Sequence, residues 1–212
     1  MSIPSITELI ERGYGRSVTV GAFSTGIVGG GDGTILDQDQ PEFAIGVPAG
    51  YCIRPIYIDI VVKGGIATTD ADETEALIAV DSLGVWFGDG TVTNENPSNL
   101  RTDLDKGSLC HVGSAFTGNM TTSPGGGVAA AAPVLDMELA RTLESNDQAG
   151  AVASAAYRII KLVYEPDHPP FLVGPCTLLG YWGGTRATIE GFAIVQWVEG
   201  PTKDFLPSVA GL

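Results

Sequence analysis

The segment Pro55-Ile56-Tyr57-Ile58-Asp59-Ile60-Val61-Val62 decides the fold class of this 212-residue chain. It is rich in β-branched and aromatic residues, and isoleucine occupies every second position from 56 to 60. Because successive side chains of a strand point to opposite faces of its sheet, this spacing places Ile56, Ile58 and Ile60 on one face. The segment therefore predicts a β-strand with one buried face.

Further β-rich segments lie on both sides of this strand. They are 17–23, 42–47, 77–81, 83–87, 108–116, 134–139, 156–164, 177–182 and 187–198. Turn sequences such as Gly31-Asp32-Gly33 and Val47-Pro48-Ala49-Gly50 separate them, and the longest loops are 63–76, 88–107 and 118–133. Eight to ten strands joined in this way predict an all-β, jelly-roll-like antiparallel β-sandwich.

The composition agrees with a β-sandwich. The chain contains 29 glycines and 13 prolines, and both residues interrupt helices, so a helix bundle is excluded. Strand alternation predicts a core that includes Ile56, Ile58, Ile60, Ile159, Leu162, Ile194 and Trp197.

A short helix is predicted at the N-terminus. Ser5 followed by Glu8 forms a capping-box pattern, and Gly13 provides a stop. Three apolar residues, Ile6, Leu9 and Ile10, share one face of this helix. Two turns of helix are not stable alone in water, so this face must be covered.

Two interpretations of the helix remain open. In the first, residues 1–16 form an N-terminal arm that binds a partner through Ile6, Leu9 and Ile10, and residues 17–212 form a single sandwich domain. In the second, the helix covers an open end of its own sandwich. The sequence Gly13-Tyr14-Gly15 is a pliable joint that favours the arm.

The charge of the chain limits its partners. Eleven basic and 25 acidic residues give a net charge of −14, and the basic residues are scattered singly. A chain of this kind repels nucleic-acid backbones and anionic membranes, so neither is an expected partner. It also lacks an apolar run of about 18 residues and a recognisable secretory signal.

The three cysteines, Cys52, Cys110 and Cys176, are widely spaced. This spacing is not that of a disulfide framework or a zinc site, and free cysteine is usually buried. We therefore expect three free thiols in the core and synthesis in a reducing cytoplasm.

Catalytic patterns are not recognisable in the sequence. The two histidines are His111 and His168, and neither has a nucleophile at a suitable spacing. Cys110 is adjacent to His111, but neighbouring residues of a strand point to opposite faces. The glycine-rich stretch 29–33 has the spacing of neither a phosphate loop nor a dinucleotide site. We predict no catalytic residues, no cofactor and no enzymatic activity.

Acidic loops at 37–39, 70–75 and 103–105 could offer oxygen ligands to a cation, but they lack the calcium-loop pattern. Solvated loops are the simpler interpretation, and no metal site is predicted. Three tryptophans, Trp86, Trp182 and Trp197, leave open a carbohydrate-binding module or glycosidase of β-sandwich fold.

The segments Phe43-Ala44-Ile45-Gly46-Val47-Pro48-Ala49-Gly50 and Ile53-Arg54-Pro55-Ile56-Tyr57-Ile58-Asp59-Ile60 form a strand, a Pro-Ala-Gly turn and a second apolar strand. This pattern resembles the jelly-roll cement, or head-decoration, proteins of tailed bacteriophages. The resemblance extends as an architecture over about residues 17–198. It implies a homotrimer that stabilises a capsid by binding the major capsid protein on the virion surface, after synthesis in the host cytoplasm. The alternatives are another virion part, such as a tail or baseplate protein or a jelly-roll shell subunit, or the carbohydrate-binding module.

Overall fold

The computed structural model describes most of the chain. The described residues are 4–22, 24, 26–29, 36–65, 72–87, 92–104, 106–123, 130–146, 157–184 and 189–206. The following statements on structure refer to these residues.

Two short helices and thirteen strands form the described fold. The helices are α1 (Ile6–Glu11) and α2 (Thr202–Phe205). The strands are β1 (Gly15–Val20), β2 (Ile27–Val28), β3 (Phe43–Val47), β4 (Tyr51–Gly65), β5 (Asp72–Asp81), β6 (Thr93–Asn94), β7 (Ser98–Asn99), β8 (His111–Ser114), β9 (Met137–Asn146), β10 (Tyr157–Tyr164), β11 (Leu172–Val173), β12 (Cys176–Gly184) and β13 (Glu190–Pro201).

The strands form two antiparallel sheets. The seven-stranded sheet has the order β10-β4-β13-β1-β7, with β11 paired to β4 and β2 paired to β13. The six-stranded sheet has the order β6-β8-β3-β12-β5-β9. The largest hydrophobic cluster contains buried residues of both sheets, including Ile58 and Ile60 of β4 and Ile78 of β5. The predicted all-β antiparallel sandwich with a short N-terminal helix is confirmed.

The centre of the six-stranded sheet is closely packed. All nine residues of β12 are buried. A Cβ atom added at Gly180 of this strand would lie 1.9 Å from Cε1 of Phe43, so glycine is required there by packing. β12 is therefore buried on both faces and has no exposed polar face.

The alternation predicted in 55–62 is interrupted by a bulge. Gln196 of β13 pairs with Tyr57, but the next residue, Trp197, pairs with Pro55, so Ile56 is an extra residue in β4. The bulge changes which positions face the core, because each inserted residue reverses the alternation. Ile58 and Ile60 are fully buried as predicted, whereas Ile56 is only half-buried.

Two further core predictions are wrong. Ile159 is 59% exposed, because its neighbour Ile160 takes the inward position in β10. Ile194 is only half-buried, because Ala193 and Val195 face the core. Leu162 and Trp197 are buried as predicted.

The segment 83–87, predicted as a strand, is part of a loop with a single β-bridge at Val85. This loop helps to cover the outer face of the six-stranded sheet. The covering cluster joins buried residues of the sheet to buried residues of the loops: Ala44, Leu77, Ala79, Trp86, Phe116, Met120, Leu179 and Tyr181. The segment 83–87, where the local sequence predicts a strand, is therefore a loop that packs on the outer face of this sheet.

Candidate binding surfaces

The predicted N-terminal helix is present, and its apolar face lies on the chain's own domain. Ser5 Oγ accepts a hydrogen bond from Glu8 N at 3.2 Å, and Glu8 Oε2 accepts one from Ser5 N at 2.7 Å, which completes the capping box. These bonds also lower the pKa of the Glu8 carboxyl, chiefly through the backbone N–H of Ser5.

Leu9 is the centre of the contact between α1 and the seven-stranded sheet. It is 1% exposed and packs in a cluster with Cys52 of β4, Val198 of β13 and Phe205 of α2. Ile6 and Ile10 pack at the edge of this cluster and are half-buried. The stripe predicted to bind a partner is therefore covered within the chain, as the second interpretation of the helix expects.

The boundary predicted between residues 16 and 17 lies inside a strand. β1 begins at Gly15, and Arg16 is buried in it. The sequence Gly13-Tyr14-Gly15 is held in place by backbone bonds, since Tyr14 N donates to Leu9 O at 3.0 Å and Glu199 N donates to Tyr14 O at 2.9 Å. An arm that moves as one piece would have to break these bonds.

A buried ion pair lies beneath this helix. Arg16 Nε is 2.9 Å from Glu199 Oε1, and both side chains are almost completely buried. The arginine also donates to the carbonyl oxygens of Gly13 and Gly107, at 2.9 and 3.0 Å. Glu199 accepts further hydrogen bonds from Ser108 Oγ and Leu109 N, both at 2.8 Å, and from Trp197 Nε1 at 3.0 Å. These bonds join β1, β13, the connection between α1 and β1, and the loop before β8.

A second buried carboxylate, Asp81, binds the loops that cover the outer face of the six-stranded sheet. Its Oδ1 accepts hydrogen bonds from the backbone N–H groups of Leu83 and Gly84, at 3.0 and 2.9 Å. Its Oδ2 accepts from Thr122 Oγ1 at 2.6 Å and from Val134 N at 3.2 Å. The hydrogen-bonding capacity of this carboxylate is thus used by the protein itself, which indicates a structural role.

The histidines and cysteines occupy the positions expected from the sequence. His111 and His168 are exposed, and Cys110 is buried while its neighbour His111 points outward. Cys52, Cys110 and Cys176 are free and buried. Burial raises the pKa of the Cys52 thiol to about 11 and that of Cys176 to about 12, so neither is a ready nucleophile.

The acidic loops do not form a metal site in the described part of the chain. There, no group of three or more His, Cys, Asp or Glu side chains is arranged to hold an ion. Asp103 pairs with Arg101 at the surface, and Glu75 pairs with Arg141 of the neighbouring strand. Residues 70, 71 and 105 of these loops lie outside the described residues.

Carbohydrate binding through tryptophan is not supported. Trp86, Trp182 and Trp197 are all fully buried, so their rings cannot stack on a sugar. A polar groove of about 680 Å³ lies between residues 95–99 on one side and residues 102–104 and 106–110 on the other. The lining residues are Glu95, Asn96, Pro97, Ser98, Asn99, Thr102, Leu104, Lys106, Gly107, Ser108 and Cys110, and this set contains no aromatic residue.

Exposed apolar side chains are concentrated at one end of the sandwich. At this end, which we call the β3–β12 end, β3 finishes at Val47 opposite Cys176 of β12. The strand registers place six large exposed hydrophobic residues in the loops and strand ends there: Leu83, Phe87, Leu109, Val134, Met137 and Val173. Leu83 is 66% exposed, and Phe87 makes an edge contact with His111 at 6.1 Å between ring centroids.

Sequence reasoning did not identify this surface. Leu83 and Phe87 lie in the segment predicted as a strand, and Leu109 lies at the start of another. A run of apolar residues gives the same pattern in a strand and in a loop that presents its side chains outward. The residues that indicate a loop at these positions are Gly84, Asp81 and Asp136, because glycine and aspartate favour turns.

Comparison of the chain with models of protein families, with curated proteins and with solved structures gives no match. Among the described residues, neither helix has the length and apolar character needed to cross a bilayer.

Proposed function

We propose that this chain is a virion structural protein that binds a capsid as a cement, or decoration, subunit. The proposal is supported by the resemblance of segments 43–50 and 53–60 to such proteins and by the antiparallel sandwich that carries them. The observation that carries it furthest is the exposure of six large hydrophobic side chains at the β3–β12 end of a chain with a net charge of −14. Apolar exposure of this kind marks surfaces that bind other proteins.

The buried polar groups support a structural role of this kind. Two buried carboxylates, Glu199 and Asp81, accept hydrogen bonds from loops of the protein itself. They fix the loops that carry Leu109, Leu83 and Val134. A binding surface held in this way loses little conformational entropy on association, which favours affinity.

The binding mechanism follows from the position of these residues. The β3–β12 end would lie on the shell, where its apolar side chains contact the major capsid protein and exclude water. Several copies on one lattice add their contacts, and each contact must be lost before the shell opens.

The test uses purified particles of the virus that encodes the chain. Mass spectrometry and cryo-electron microscopy should find the full chain at regular positions on the shell, with the β3–β12 end against it. The Leu83→Glu and Phe87→Glu variants should keep their melting temperature and lose particle binding, whereas Leu143→Lys, which changes a similarly exposed residue of β9 opposite Glu75, should bind normally. Absence of the chain from particles, its presence only in tails, or equal binding by all three variants would contradict the proposal.

A further inference from the structure

We propose that a second surface, on the outer face of the seven-stranded sheet, is the contact between copies of this chain. It consists of Asp59 and Val61 of β4, Ile159, Lys161 and Val163 of β10, and Phe192 and Ile194 of β13, and we call it the open half-face. This inference rests on the proposed role as a cement subunit present in several copies, and it specifies where those copies meet.

The described chain covers the open half-face only in part: Ala22 and Gly26 lie beside Val61 and Phe192, and the β10 end of the face is exposed. Loops cover the outer face of the six-stranded sheet, and α1 and α2 cover the other half of the seven-stranded sheet. The open half-face carries five apolar residues. Two of them are strongly exposed, Ile159 at 59% and Val163 at 45%.

The register places these apolar residues in adjacent rows that also contain Asp59 and Lys161. Val163, Asp59 and Ile194 form one row across three strands, since Asp59 pairs with both neighbours. Val61 lies between Lys161 and Phe192 in the next row. Apolar side chains in neighbouring rows of a sheet make a flat surface, which suits packing against another flat surface.

The charges on this face favour a second copy as its partner. Lys161 Nζ lies 2.9 Å from Asp59 Oδ2, which raises the pKa of the lysine through this hydrogen bond, and Lys63 lies opposite Glu190 in the pairing of β4 and β13. Positive and negative groups are therefore balanced here, although the whole chain carries −14. Two copies repel each other wherever both are acidic, so a locally neutral apolar face is where they approach at least cost. A basic partner would gain nothing from this neutral face.

The charge of Lys161 also indicates that the contact uses the face of the sheet rather than its edge. β10 is the edge strand, and Lys161 stands between Ile159 and Val163 with 54% of its side chain exposed. A lysine at this position opposes open-ended pairing of edge strands. The acceptor Asp59 is 7% exposed and holds the lysine over the sheet, also accepting a hydrogen bond from Tyr57 Oη at 3.2 Å.

The experiment measures the mass of the full chain in solution over a range of concentrations, by light scattering after size exclusion and by sedimentation equilibrium. Two variants, Ile159→Glu and Val163→Lys, place a charge on the open half-face. Each new charge lies opposite a group of opposite sign, Lys63 or Asp59, so the single chain should remain folded. Leu143→Lys, on β9 of the other sheet, is the matched control, since its charge lies opposite Glu75, and thermal melting monitors folding in all three.

The wild-type chain and Leu143→Lys should assemble beyond the 22.0 kDa monomer, and the two half-face variants should weaken assembly by about tenfold or more. A monomeric wild-type chain, or variants that assemble like the wild type, would overturn the inference. The two proposals fail separately. A chain found on particles with its half-face in solvent contradicts only this inference, whereas a chain that assembles through the half-face but is missing from particles contradicts only the proposed function.

Discussion

At the scale of single residues, two isoleucines on adjacent strands measure what burial contributes. Ile58 is fully buried between the sheets and Ile159 is 59% exposed. We expect Ile58→Ala to lower the free energy of unfolding by about 2–5 kcal/mol, through lost transfer energy and a cavity. Ile159→Ala should change it by less than about 0.5 kcal/mol. Urea unfolding of the purified chain measures both, and similar losses at the two sites would contradict the assigned faces.

The buried thiols give a pH prediction at the same scale. Burial raises the pKa of Cys52 to about 11 and of Cys176 to about 12, so the folded state favours the protonated thiols. The stability that this contributes is complete below the ordinary thiol pKa of 9.0 and is lost as pH rises through the folded values. Unfolding free energy should therefore fall between about pH 9 and pH 12.

The Cys52→Ala, Cys176→Ala double variant is the control for this prediction. It loses packing at every pH, but its unfolding free energy should fall less steeply with pH than that of the wild type, because two titrating groups are gone. Urea midpoints at about pH 8 and about pH 10.5 give the comparison. Parallel slopes for the two proteins would show that these thiols do not control the alkaline decline.

At the scale of elements, the helix α1 tests whether the N-terminus is a cap or an arm. Leu9 is 1% exposed under this helix, beside Phe205 and Val198. We expect Leu9→Ala to lower the free energy of unfolding by about 2–5 kcal/mol, because it leaves a cavity. Ser5→Ala removes the N-cap of the helix and should lower it by about 0.5–2 kcal/mol. Urea unfolding of both variants gives these values. A Leu9→Ala protein as stable as the wild type, with its residues 1–12 digested early by protease, would instead favour a mobile arm.

The ion pair between Arg16 and Glu199 joins β1 to β13, and its hydrogen bonds hold Gly13 and the loop 107–109, so its loss should destabilise all of these segments. Arg16→Met removes one partner and leaves a buried carboxylate, which should cost about 3–5 kcal/mol. The exposed pair of Arg101 and Asp103 is the matched control, and Asp103→Asn should leave the unfolding free energy close to that of the wild type. Chemical unfolding gives both values, and hydrogen exchange should show the loop 106–110 opening first in Arg16→Met.

The elements also show what a sequence can predict. Alternation and capping are local, so β4, β10, β13 and the capping box of α1 were predictable from the chain alone. The bulge at Ile56 arises where β4 pairs with β13, about 140 residues away, and this pairing decides which isoleucine is buried. The N-terminal stripe was found as a stripe, but its covering by Val198 and Phe205 depends on the end of the chain. The β3–β12 end was missed because exposed apolar loops imitate strands.

At the scale of the whole molecule, the net charge of −14 governs how copies meet. Like charges of this size repel one another over distances that salt shortens, since the Debye length falls from about 30 Å at 0.01 M to about 8 Å at 0.15 M. The open half-face is locally neutral and apolar, and its lysine is already paired within one copy at 2.9 Å. Screening should therefore remove repulsion without weakening the contact.

We accordingly expect self-association to strengthen when sodium chloride rises from about 0.02 M to about 0.3 M. Sedimentation equilibrium of the wild-type chain at both salt concentrations is the measurement, and Ile159→Glu should stay weakly associated at both. Contact through ion pairs between copies would give the opposite trend, because salt weakens attraction between exposed charges. A contact that loosens with salt would thus contradict an apolar half-face interface, and would direct attention to the charged loops.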